Sequence, residues 1–173
     1  MHSQATNYLL LIAGLPGTGK STVAKAFVVR YGGVHINSDL LRNAMQLRGH
    51  YDPSDKEKVY QTMLDSTKGA LMDNRSAVVD STFISNRIRE NFEAIAKECK
   101  VPFFWVEMHA EEECLQERLS KLRPDSEADF GIYLALRDIQ EKIIGPHLEL
   151  WSDKLSLEDM VESIHNYTSK TSL

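Results

Sequence analysis

Eight consecutive residues, Gly14-Leu15-Pro16-Gly17-Thr18-Gly19-Lys20-Ser21, fit the spacing G-x-x-x-x-G-K-[ST] at every fixed position. Glycines at these places let the backbone turn its N–H groups inward around an anion. An apolar run, Tyr8 to Ala13, feeds the segment, and a helical pattern with Val23, Ala26 and Phe27 on one face leaves it. The start of that helix adds positive dipole potential where the anion would sit. Lys20 can then reach the β- and γ-phosphates of a nucleotide, and Ser21 can bind Mg²⁺. Thr22 falls close to the base end. The bland alternative is a glycine-rich strand-to-helix turn that holds nothing. Strand, loop, lysine, hydroxyl and helix in one unit argue against it.

A second group combines carboxylates with arginines. Asp39 follows the short apolar segment Val34-His35-Ile36-Asn37, and Arg42 stands one helical turn further on. A carboxylate near a γ-phosphate can take the proton of an acceptor hydroxyl. A neighbouring guanidinium can hold an anionic group of that acceptor. Asp39 could instead cap a helix, with Arg42 on the surface. Asp80 ends the apolar run Ala77-Val78-Val79, the usual place for a carboxylate that positions Mg²⁺ or water, or simply begins a turn. Thr82 can touch substrate or cap the following helix. Arg87 is a candidate for the same cleft, Arg89 a weaker one. Arg118 shares a helix stripe with Leu115, Leu119 and Leu122, and Arg123 opens a polar segment. The pair fits lid arginines that offset charge in a transition state, or a snorkelling Arg118 beside an exposed Arg123. His35, His50, His109 and His147 are scattered, and each reads as a packed or surface side chain rather than a catalyst.

These residues need strands and helices to bring them together. Strands are expected at residues 8–13, 34–37, 76–80, 102–108 and, shorter, 147–151. The second helix should run to about Leu47. Ser54 with Glu57 reads as a capping box for the third. Ser85 or Asn86 should cap a helix with Ile88, Phe92, Ile95 and Cys99 on its apolar face. Another helix covers 111–122. A further one carries Ile132, Leu136, Ile139 and Ile143 in phase and stops at Gly145-Pro146. Ser156 with Asp159 caps the last. Alternating strands and helices imply an α/β fold, a parallel sheet with helices on both faces. Ligands of such sheets bind beyond the carboxyl ends of the strands, which places the glycine-rich loop, Asp39 and Asp80 on one edge.

The chain has 173 residues, enough for one domain with a sizeable core, and its 42% hydrophobic and 26% charged residues are ordinary for a soluble globule. A net charge of −5 argues against a general nucleic-acid coat, without excluding a local basic groove. Cys99 and Cys114 lie in separate helical patterns and read as reduced. With no His/Cys ligand spacing, structural zinc is not expected. No segment is apolar enough to span a membrane, and no signal-peptide pattern precedes the first strand, so the expected location is cytoplasmic.

With these residues in view, the chain resembles the P-loop kinases grouped with the 5′-kinase domain of polynucleotide kinase, among the AAA-type and zeta-toxin-like small kinases. The resemblance rests on the phosphate loop, on S-D-x-x-R at Ser38 to Arg42, on V-V-D-S-T at Val78 to Thr82, and on E-R-L-S-K-L-R at Glu117 to Arg123. It implies a P-loop NTPase three-layer fold over 1–173, with about five parallel strands and a small helical lid near 118–137. It implies ATP and Mg²⁺ as cofactors, Asp39 as general base, Arg42 at the acceptor's phosphate, Asp80 as the strand-end acid, and Arg118 and Arg123 in the lid. The two lid arginines stand one residue further apart than in that family. The acceptor stays open between a nucleic-acid 5′-hydroxyl end and a small metabolite or antibiotic. A regulatory ATPase without an acceptor is the reading from another class.

Overall fold

Five apolar residues in a row, each buried, make β1 (Leu9–Ala13) the centre of the structure. The computed structural model describes residues 7–50, 52–121 and 128–170. Around β1 lie β2 (Val34–Asn37), β3 (Ala77–Asp80), β4 (Phe103–His109) and β5 (Leu148–Trp151), in the spatial order β2-β3-β1-β4-β5. Every pairing is parallel. A strand buried on both faces must be apolar throughout, which is why β1 reads as a continuous run and not as an alternation.

Helices cover both faces. Leu10 and Ile12 pack with Val23, Phe27, Val161 and Ile164 under α1 (Lys20–Tyr31) and α7 (Leu157–Ser169). Leu9, Leu11 and Ala13 point the other way, toward Met63, Phe92 and Trp105. Those residues lie beneath α3 (Pro53–Met72) and α4 (Asn86–Cys99). Phe83 anchors this side, with its ring edge-on to Phe92 at 5.2 Å and to Trp105 at 5.1 Å. Between β2 and α3 runs α2 (Ser38–Ala44). A smaller cluster, Leu115, Leu119 and Tyr133, joins α5 (Glu112–Leu119) to α6 (Phe130–Ile139). The α/β architecture expected from the alternation is present, with its five strands and three layers.

Element ends differ in instructive ways. α2 stops at Ala44, short of Leu47, because Gln46 takes a positive φ of 59° and Leu47 N–H returns to the Arg42 carbonyl. α3 begins at Pro53, not after Ser54: Asp52 is its cap and accepts from Asp55 N–H at 3.0 Å. Proline at the first helical position has the required φ and lacks an N–H that would go unused. That N–H bond and the Ser54 hydroxyl hold the Asp52 carboxyl at about 2. α6 ends at Ile139, well before Gly145-Pro146, and Gln140 is extended. The cause is a buried clamp. Arg89 donates to the carbonyls of Phe83, Glu141 and Lys142, and Glu141 N–H donates to Ile84 O, so residues 141–142 are held extended against the start of α4. Ile143 therefore enters the main core from a connection and not from a helix. Cys99 and Cys114 are free thiols. Among the described residues no helix is long and apolar enough to cross a membrane.

Candidate active site

The loop after β1 has a conformation only glycine tolerates at its first position. Gly14 has φ +146°, and a Cβ there would lie 2.6 Å from the Met108 carbonyl oxygen. Gly17 has φ +84°, and a Cβ would press on Leu119 at 3.1 Å. Loop, β4 and α5 thus fix one another. Gly19 precedes α1 in the left-handed region and no side chain caps the helix. The orphan N–H groups of the first turn are left for an anion, where the helix dipole favours it. Thr18 is buried and its hydroxyl donates to the Leu15 carbonyl at 2.8 Å, so its side chain braces the loop from behind. Lys20 Nζ donates to the same carbonyl at 3.0 Å. Pro16, Gly17, Gly19, Lys20, Ser21 and Thr22 all line a cavity of about 1410 Å³.

The strand ends supply the next layer. The register sets Asn37 beside Asp80, and Asp80 beside Ile12 at the foot of the loop. Asp80 is 1% exposed. Its Oδ1 accepts from the Ser21 hydroxyl at 2.8 Å and from Asn37 Nδ2 at 2.6 Å, and its Oδ2 meets His35 Nε2 at 2.5 Å. Asn37 Nδ2 also reaches the Ser21 hydroxyl at 3.0 Å. Two oxygen donors 2.8 Å apart suit a hard divalent cation: octahedral Mg²⁺ places neighbouring ligand oxygens about 2.9 Å apart. The residues present therefore fit Mg²⁺.

Asn37 has a second task. Its Oδ1 accepts Leu40 N–H at 2.7 Å and caps α2. The helix cap that could have explained Asp39 is thus filled by another residue. Asp39 lies in the first turn of α2, half-buried, and lines the cavity with Lys20. Arg42 lines it too, although it is 8% exposed and donates to the His50 carbonyl at 2.6 Å. Thr82 and Arg87 lie on the same wall. Arg89 does not: it is the buried clamp described above.

Arg118 neither snorkels nor stands apart. Its guanidinium donates to the Gly17 carbonyl at 3.0 Å and to the Ser152 hydroxyl at 2.8 Å, tying α5 and the segment after β5 to the phosphate loop. Arg123 lies outside the described residues. α6 turns a different face inward than its periodicity suggests. Tyr133 and Leu134 pack on α5, whereas Ile132, 40% exposed, and Leu136 face the cavity.

Sequence reasoning did not single out His35, Asn37, Ser152 or this apolar side of α6 as parts of the site. Two signals for the first pair were present. Residues 35 and 37 alternate to one face of a strand, and an asparagine before Ser38-Asp39 is a preferred N-cap. Neither signal has meaning until β2 is known to pair with β3.

Comparisons with known proteins speak to the family and the fold. The chain is 32% identical over 106 residues to the L-seryl-tRNA(Sec) kinase of Methanococcus maripaludis, an alignment covering 59% of this chain and 41% of that protein. It thus spans less than half the length of that curated relative. Among solved structures, the Mycobacterium tuberculosis APS kinase CysC in complex with AMPPNP and APS superposes with a TM-score of 0.69, at 14% identity, over 95% of this chain and 98% of that one. A chain of the Pnkp1/Rnl/Hen1 complex superposes with a TM-score of 0.59, at 23% identity, over 71% of this chain and 43% of that one. At these identities the two structures establish the fold, that of small P-loop kinases. The family model described as AAA domain matches residues 9–135, and the chain belongs to that family.

Proposed function

We propose that this protein is an ATP-dependent kinase that transfers a γ-phosphoryl group to the hydroxyl of a small acceptor with a substantial apolar face. One observation carries the reading: the phosphate loop and Asp39 open onto the same cavity. In this reading the loop N–H groups and Lys20 hold the β- and γ-phosphates, and Ser21 with Asp80 holds Mg²⁺, directly or through water. Bound Mg²⁺ would draw charge from the phosphate oxygens. Asp39 accepts the acceptor's proton as the bond to phosphorus forms. Arg118, already anchored to the loop, adds positive charge beside the phosphates, and Arg123 is proposed to join it from the segment between α5 and α6. Ser152, Leu155 and Met160 extend the cavity on the side of Thr22, where a base can pack.

The acceptor's character follows from the opposite wall. Leu40, Tyr60, Leu64, Ile84, Ile88 and Leu136 line it, with Arg42, Lys56 and Arg87 as cations among them and Glu57 beside Lys56. A bare polyol would leave such a surface unmatched. A nucleic-acid strand calls for a track of positive charge and aromatic stacking. The likeness to a seryl-tRNA kinase supports a second reading, in which the hydroxyl is carried on an aminoacyl-RNA.

Transfer of labelled γ-phosphate should be screened over aromatic and aliphatic alcohols, sugars, nucleosides, 5′-hydroxyl oligonucleotides and seryl-tRNA. Product from the first group alone is expected. Product only from RNA would replace the small-acceptor reading with the second. Hydrolysis of ATP without product in any arm would replace both with a regulatory ATPase.

A further inference from the structure

Behind the phosphate loop, in a small pocket shared with Leu15 and Thr18, β4 and the start of β5 bring together two histidines and two glutamates. Glu107 pairs in register with Glu149, so the pleat turns Glu107, His109 and Glu149 to one face, and His147, just before β5, joins them there. The ligand atoms of Glu107, His109 and Glu149 fall within 4.8 Å of one another. His109 Nε2 lies 3.6 Å and His147 Nε2 lies 3.7 Å from the same oxygen, Oε2 of Glu107. His147 Nε2 is 3.3 Å from Glu149 Oε1. Tetrahedral zinc with bonds of about 2.0–2.1 Å separates its ligand atoms by about 3.3 Å. Three of these separations therefore sit close to the edge of that tetrahedron.

A second observation concerns which nitrogen faces the carboxylates. His147 Nδ1 lies 2.9 Å from the Gly145 carbonyl, an acceptor only, so Nδ1 carries the hydrogen. Nε2 then faces two carboxylate oxygens, at 3.7 Å from Glu107 and 3.3 Å from Glu149, a position that either a proton or a metal ion can fill. The backbone contact is also what fixes the tautomer of a ligating imidazole. Glu107 has an outer partner as well, since Gln140 Nε2 donates to its Oε1 at 3.3 Å. Arg89 adds to the positive field from behind, its N–H groups directed at main-chain carbonyls. Two glutamates give the site enough negative charge to favour a dication beside it.

We infer that Glu107, His109 and Glu149, with His147 adjoining the two carboxylates, form a binding site for a divalent transition cation that prefers nitrogen and oxygen ligands, with Zn²⁺ as its reference ion. The site is separate from the oxygen-only pair Ser21 and Asp80. Glu149, more than half exposed, is the open side through which an ion enters. Bound metal would staple the edge strand β5 and the connection from α6 to the more central β4. That connection is where the sequence pattern and the structure part ways. The inference also reverses the expectation that this chain has no zinc site. Each spacing, Glu107-x-His109 and His147-x-Glu149, is short, but the two pairs meet only because β5 lies beside β4.

Calorimetric titration of the full chain with ZnCl₂, without nucleotide or chelator, tests this. One saturable equivalent is expected, retained in Ser21→Ala. It should be lost in the double variant His109→Gln/His147→Gln. Gln140→Ala should weaken it about ten-fold, the effect of removing an outer partner. Co²⁺ should give the visible d–d bands of a tetrahedral ion in the wild type and not in the double variant. Should the double variant fail to fold by circular dichroism, surface-exposed Glu149→Gln decides: weakened binding supports the site, unchanged binding overturns it. Absence of a saturable equivalent in the wild type, or equal binding in a folded double variant, also overturns it.

Discussion

The two halves of the large cavity are built on opposite principles. The phosphate half comes from eight adjacent residues, Gly14 to Ser21, and its chemistry resides mainly in backbone N–H groups. The acceptor half is assembled from α2, α3, α4 and α6, with side chains more than ninety residues apart in sequence. A backbone cradle is set by local conformation and leaves a spacing rule in the sequence. A wall of side chains is set by tertiary packing and leaves none. The first half can be recognised in any chain that contains it, whereas the second must be seen folded.

The largest effect should come from the local half. Lys20→Ala is expected to lower transfer about 10³-fold or more, the scale on which a cation beside the transferring phosphoryl group acts. ATP binding should weaken with it, while the melting temperature stays close to native. Full turnover in this variant would remove the phosphate-loop assignment. Asp39→Asn sits on the boundary between the halves. Its expected loss is about 10²–10³-fold in kcat, with ATP affinity nearly native, because a general base acts only as the proton leaves. A native rate would show that Asp39 is not the base.

Asn37 sharpens the contrast, because it serves local structure and the site at once. Its Oδ1 caps α2 and its Nδ2 orients Asp80 and Ser21. Asn37→Ser keeps a hydroxyl able to cap and removes the amide N–H groups. Because Asn37 is buried and its Nδ2 donates to the buried Asp80 carboxylate, Asn37→Ser should also cost about 1–3 kcal/mol of stability. The Mg²⁺ concentration for half-maximal activity should rise about ten-fold, the usual consequence of losing an outer-shell partner. Equal loss in Asn37→Ala and Asn37→Ser would mean the amide has no part in the metal site.

Much of this was legible beforehand, for reasons that particular residues make plain. β1 showed itself because a doubly buried strand has to be apolar. Asp80 stood out because it ends such a strand. Arg89 misled, since a buried guanidinium clamping carbonyls looks like any helix-start arginine in one dimension. α6 misled in the opposite sense: Ile132, Leu136 and Ile139 keep perfect helical phase, yet the helix packs through Tyr133 and Leu134, turns Ile132 and Leu136 toward the cavity and leaves Ile139 exposed. Periodicity reveals that a face is apolar, not what it covers. His109 and His147 illustrate the same limit in the sheet, where register alone gathers residues that the sequence scatters.

The smallest expected effect is the one that most directly tests the acceptor half. If the apolar side of α6 contacts substrate, Leu136→Ala should remove part of that contact and nothing else. A half-buried leucine truncated to alanine forfeits about 1 kcal/mol of apolar burial, roughly a five-fold change in affinity. That change should appear in the KM for the acceptor, with the KM for ATP and the stability near native, since Leu136 is no part of the small α5–α6 cluster. Tyr133→Ala supplies the opposite pattern. Its ring is 5% exposed and belongs to that cluster, so its loss should lower the melting temperature and disturb both substrates through α5 and the Leu119 contact with Gly17. If Leu136→Ala behaves like Tyr133→Ala, the exposed stripe is part of the core of a more closed molecule, and the acceptor wall has to be redrawn without α6.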